Sequence, residues 1–74
     1  MAQGYIHTVY RGGHWYNDVE QVRRGSQAYA TKDRAVAAGR LEAIQGRTEH
    51  VVRNMDGTIA YRNSYGHDPQ RSRG

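Results

Sequence analysis

The chain has no cysteine and no phenylalanine among its 74 residues, and only one proline and one tryptophan. Without cysteine, neither disulfides nor thiolate zinc ligands can brace a small domain. Long apolar runs are missing as well: no stretch approaches the roughly 20 apolar residues of a membrane span. The opening MAQGYIHTVY has no basic-then-apolar leader pattern, so a cytoplasmic protein is expected. Large aliphatics are scarce, being Ile6, Val9, Val19, Val22, Val36, Leu41, Ile44, Val51, Val52 and Ile59. A domain of this length buries only about 60% of its unfolded surface. Tyrosines and the tryptophan must therefore supply much of the core, at about 150–250 Å² each. A second copy or another bound partner is the remaining way to add buried surface. The net charge of +4 and the pI near 9.9 suit polyanionic partners.

What is present reads as one domain over residues 1–69, followed by a short basic tail, residues 70–74, expected to be disordered. YIHTVY, residues 5–10, is β-branched and aromatic and alternates as a strand does. RGGH supplies the glycines of a hairpin turn, and WYNDVEQV alternates again, with Trp15, Asn17 and Val19 on one face. After a polar connection, Thr31 is placed as an N-cap and Asp33 lies in the first turn, where the helix dipole favours negative charge. The alanine-rich KDRAVAAGRLEAIQ follows, with Gly46 in the C′ position. Ala37, Leu41 and Ile44, spaced by four and three, predict the buried stripe of this helix. Gly39 costs around 1 kcal/mol relative to alanine, and close approach of the helix to a sheet would compensate. TEHVVRN and TIAYRNS read as two further strands around the turn signal of Asp56 and Gly57.

The expected fold is thus α+β with order β-β-α-β-β: a four-stranded, mainly antiparallel sheet with one helix on one face. Pairing the third strand antiparallel to the first gives strand order 2-1-3-4. The alternative sets it parallel to the second through a right-handed crossover, in order 1-2-3-4. One helix covers one face, so the other is polar, paired or used for binding.

WYNDVE, ATKDRAVAAGR and EHVVRNMDGTIAYRNSYGHDP resemble the bacterial family known as domain of unknown function 2188, over roughly residues 6–69. Its W-x-N-x-V-E hairpin, T-K-x-x-A-V-x-x-G-R helix and D-G-x-I hairpin ending in S-Y-G-x-D-P are matched by Trp15, Asn17, Val19, Glu20, Thr31, Lys32, Gly39, Asp56, Gly57, Ile59, Ser64, Tyr65, Gly66, Asp68 and Pro69. His67 stands where asparagine is usual and Gln21 where glycine often follows, which argues against an essential His67. The resemblance supports the fold and implies no activity.

The four histidines lack the tight spacing that announces a zinc site with three or four ligands. His7 and His50 would face each other if the first and third strands pair, and His67 could join them. No metal, cofactor or small-molecule substrate is expected. Asp68 beside His67 makes a poor acid–base pair, and the domain has little room for a pocket of about 300–1,000 Å³, so the protein reads as no enzyme. The leading expectation is a protein-interaction or homodimeric module using the open sheet face. The alternative is DNA or RNA binding, with Arg11, Arg23, Arg24, Arg53 and Arg62 on phosphates and Tyr10, Tyr16 and Tyr61 stacking on bases. Ser64, Tyr65, Gly66, Asp68 and Pro69 read as a structural clasp after the last strand, with Tyr65 turned to the core.

Overall fold

The computed structural model describes residues 4–20, 22 and 27–66. Its elements are strands β1 (Ile6–Arg11) and β2 (His14–Val19), helix α1 (Lys32–Gly46), and strands β3 (Glu49–Arg53) and β4 (Ile59–Ser64). The four strands form a single sheet in the order β2-β1-β3-β4, so the fold is α+β with the expected strand order. The expected tail, 70–74, lies outside the described residues.

β1 and β2 make the predicted hairpin, with Thr8 opposite Asn17 and Tyr10 opposite Trp15. Gly12 and Gly13 turn it with φ of 55° and 94°, the left-handed region that glycine enters without a Cβ clash. β3 and β4 pair antiparallel, Val52 opposite Tyr61, with an irregularity after Val52. In their turn the Asp56 carboxylate accepts from the Thr58 N–H at 3.1 Å and from its hydroxyl at 2.7 Å.

One expected pairing is overturned. β1 and β3 run parallel, not antiparallel, with Ile6 beside His50 and Thr8 beside Val52. The cause lies in the connection after β2. Tyr29 bridges Trp15 in antiparallel sense, through N–H to carbonyl bonds of 2.9 and 2.7 Å. The chain therefore returns to the hairpin end of β2 before the helix begins. α1 then descends to the opposite end, where Ala43 meets Ile6 and Val19, and β3 must start beside the start of β1.

Thr31 is the N-cap as expected: its hydroxyl accepts from the Arg34 N–H at 3.2 Å. The C-terminus differs from expectation. Gly46 is still helical, and Arg47 takes the left-handed conformation at φ 54° and ψ 53°. There Arg47 N–H reaches the Ile44 carbonyl at 3.2 Å and Thr48 N–H reaches Ala43 at 3.0 Å, the paired closure of a Schellman turn. The turn falls one residue past the glycine, with Thr48 alone between it and the start of β3 at Glu49.

The buried stripe of α1 is also not the expected one. Leu41 and Ile44 are 57% and 45% exposed, and Ala37 is exposed with them. The face on the sheet is Ala35, Gly39 and Ala43. The reason is steric. A Cβ at Gly39 would stand 2.6 Å from Asn17 Oδ1, 2.7 Å from His50 Nε2 and 3.0 Å from Thr8 Oγ1. The sheet beneath is already full, so only small residues fit in that face.

Gly39→Ala should therefore destabilise the fold by about 1–3 kcal/mol through overpacking, although alanine is the better helix former by about 1 kcal/mol. A raised urea midpoint would refute the contact. Arg47→Gly should act in the opposite direction, relieving a left-handed residue by about 1 kcal/mol and raising the melting temperature.

Candidate interaction surfaces

Beneath α1 lies a chain of hydrogen bonds between strands and helix. The Thr8 hydroxyl donates to Asn17 Oδ1 at 2.6 Å, and Asn17 Nδ2 donates to the Ala35 carbonyl at 2.9 Å. His50 Nε2 lies 2.7 Å from the Thr8 oxygen. Since Thr8 has given its only proton to Asn17, His50 must donate through Nε2–H. Thr8, Asn17 and His50 are all buried. Burial pushes the His50 imidazole below its ordinary pKa of 6.5, with Arg40 and His7 acting in the same direction. The network ties β1, β2, β3 and α1 together in one polar centre. Its sequence signal was Asn17 itself, a polar residue sharing a strand face with Trp15 and Val19.

The opposite sheet face carries Val9, Tyr16 and the buried Val51, with charged pairs around them. Arg11 meets Asp18 at 2.7 Å and lies over the Tyr16 ring at 4.4 Å. His7 meets Glu20 at 2.7 Å, a bond that holds the Glu20 carboxyl below its ordinary range. Arg62 stands 3.4 Å from Glu49 across β3 and β4. Arg53 donates to the Gly57 carbonyl at 2.9 Å. The exposed ion pairs contribute little to stability, roughly 0–1 kcal/mol each, but Asp18 and Glu49 neutralise two of the cations that phosphate would need, Arg11 and Arg62.

The predicted nucleic-acid set is not one surface. Tyr10 shares the helix side of the sheet with Trp15, the ring centroids 5.2 Å apart. Tyr61 shares that side with Val52 and lines a groove against α1. Tyr16 instead carries Arg11 on the open face. Arg23 and Arg24 lie outside the described residues, as do His67 and the clasp residues Asp68 and Pro69. Within that motif, Ser64 ends β4, and Tyr65 packs against Ile6, Val19 and Ala43 while donating its N–H to the Thr48 carbonyl at 3.1 Å. A Cβ at Gly66 would come within 3.1 Å of the Arg47 carbonyl. His7 and His50 do not face each other: His7 aligns with Val51 and His50 with Ile6, which puts the imidazoles on opposite faces. No group of three or more histidine or carboxylate side chains among the described residues is placed to hold a metal.

The remaining surface is the outer side of α1. Turning Ala35, Gly39 and Ala43 inward forces Ala37, Leu41 and Ile44 outward. An open groove of about 570 Å³ runs beside them, lined by Ala28, Tyr29, Ala30, Arg34, Ala38 and Leu41 among others. On the other flank a groove of about 370 Å³ separates α1 from β4, with Asp33, Arg40, His50, Tyr61, Asn63 and Tyr65 in its lining. Two apolar sides on one helix leave it almost without net amphipathicity, so the exposed stripe could pass for the core stripe in the sequence. The second signal was legible there: Ala35, Gly39 and Ala43 repeat a small residue every four.

A pH dependence follows from His50. The unfolded chain takes up the imidazole proton near pH 6.5 and the folded chain only at lower pH. Stability is therefore fully present above that value and declines as the pH falls below it. Urea midpoints at about pH 7.5 and 5.5 should show the decline, and His50→Gln should flatten it. An unchanged slope in the variant would assign the dependence to another group.

No helix among the described residues is long and apolar enough to cross a membrane. No curated protein and no solved structure is significantly similar to the chain. A family model does match, over residues 6–65, the span that holds the hairpin, the capped helix with its inward Gly39, and β4 up to Tyr65. The chain belongs to the family of uncharacterised proteins conserved in bacteria designated DUF2188.

Proposed function

We propose that the protein is a non-catalytic interaction module that binds another protein chain through the outer side of α1. The observation that carries this reading is the outward placement of Leu41 and Ile44, 57% and 45% exposed on a helix whose inner side is alanine and glycine. Large side chains left in water beside an apolar groove mark a contact surface. Burying either in a partner is worth about 1.5–3 kcal/mol. The helix side is favoured over the open sheet face, because that face already spends its charges on cross-strand pairs. Against catalysis, the hydroxyl and imidazole of Thr8 and His50 are buried and committed to structural hydrogen bonds.

Nucleic-acid binding is the weaker reading. Three of its arginines are engaged with Asp18, Glu49 or the β3–β4 turn, and its tyrosines are divided between two faces.

The test places a photoactivatable label on Leu41→Cys, with Met55→Cys as an exposed control away from the helix. Illumination in cell extract should yield protein adducts at position 41, reduced by a further Ile44→Asp change that leaves the melting temperature within a few degrees. No adduct at position 41, together with DNA or RNA binding that falls steeply with salt, would replace this reading with the nucleic-acid one.

A further inference from the structure

We infer that the partner of the α1 surface is a second copy of the same chain, docked as an antiparallel helix pair crossing at Ala37. The inference rests on the interaction reading above and names its occupant from shape and charge along the helix.

At about 100° per residue, Arg34, Ala37, Leu41 and Ile44 fall in one sector on the side opposite Gly39. Asp33 and Arg40 flank that sector together, and both line the groove towards β4. They sit two turns apart, about 10 Å along the axis. Their midpoint lies between Val36 and Ala37, about 0.75 Å along the axis from Ala37. A two-fold axis there, perpendicular to the helix, reverses the helix and keeps the flanks on the same side. It sets Asp33 of one protomer opposite Arg40 of the other, twice. The same operation keeps Leu41 on the flank away from Asp33 and Arg40 and brings it beside the N-terminal half of the second helix. That region is the groove lined by Ala28, Tyr29, Ala30 and Arg34. Ala37 at the crossing, a small side chain, lets the helices approach to interaxial distances of about 9–10 Å. Each surface thus presents both the projecting leucine and the recess that receives it, the self-complementarity an isologous interface requires. A single helix pair is a small interface, so the dimer is expected in the micromolar range.

A competing mode is pairing of the β4 edges. The other edge, β2, is partly occupied by the bridge from Tyr29, whereas α1 makes its sheet contacts with β1, β2 and β3 and leaves β4 uncovered. The absence of cysteine allows the two modes to be separated cleanly.

Sedimentation of the purified full chain across roughly 1–200 µM should show a monomer–dimer equilibrium. Asp33→Arg and Arg40→Asp should each weaken it roughly tenfold, and the double exchange should restore it to within about threefold. Recovery distinguishes a pair across the interface from damage to the helix. Under mild oxidation Ala37→Cys should give a disulfide dimer, since at interaxial distances of about 9–10 Å the facing Cα atoms, each about 2.3 Å from its axis, stand about 4.4–5.4 Å apart, within the roughly 4.4–6.8 Å a disulfide spans. Tyr61→Cys on β4 should not. A monomer at every concentration, no rescue by the double exchange, or cross-linking at position 61 in place of 37 would overturn the proposal. If the pure protein is monomeric while position 41 still forms adducts in extract, self-association fails and the interaction reading stands. Loss of both removes both.

Discussion

The contact between Gly39 and the Thr8–Asn17–His50 network governs the rest of this molecule. Three polar side chains from three strands meet under one turn of helix, and that turn has no side chain at the meeting point. A buried network of this kind is stabilising only when each member is satisfied. Asn17 completes it by donating to the Ala35 carbonyl, a group of the helix itself. The helix is thereby fixed in distance and in rotation. Distance selects alanine and glycine for the inner side. Rotation decides that Leu41 and Ile44 face water.

This arrangement suits a chain with few large aliphatics. Val51 is buried on the far face of the sheet, while Ile6, Val19 and Val52 are buried on the helix side, with Trp15 closing the hairpin end beneath Tyr10 and Lys32. The helix contributes backbone and methyl groups to that core, and Tyr65 covers the end where Ala43 meets Ile6. The larger apolar residues of α1 are then free for another surface. The proposed association would add the burial that so small a domain lacks, on a surface set by the same geometry that seals the polar centre.

Much of the fold was legible along the chain. The alternation of Trp15, Asn17 and Val19, the N-cap at Thr31, the turn at Asp56 and the strand order all emerge in the structure as the sequence implies. Three readings failed, each for a reason outside local pattern. Spacing alone points Leu41 and Ile44 to the core, because it reports a shared side and not which side meets the sheet. Glycine's preference points to Gly46 for the left-handed turn, yet the turn falls at Arg47, two residues before β3 begins. The direction of β3 depended on whether the connection doubled back, and the Trp15–Tyr29 bridge makes it do so. Of the candidate binding residues, the arginines were visible as charges, but their neutralisation by Asp18 and Glu49 needed the register.

The sequence by itself determined the element order, the family, the lack of covalent or thiolate bracing and the need for close helix–sheet approach at Gly39. These follow from local chemistry: strand alternation, capping oxygens, turn residues and the absence of cysteine. The tertiary structure decided which side of α1 is buried, which way β3 runs and which charges remain unspent. Those depend on contacts between residues far apart in the chain, such as Thr8 with His50 and Asn17 with Ala35. Periodicity along one segment does not encode the identity of the neighbour it will meet.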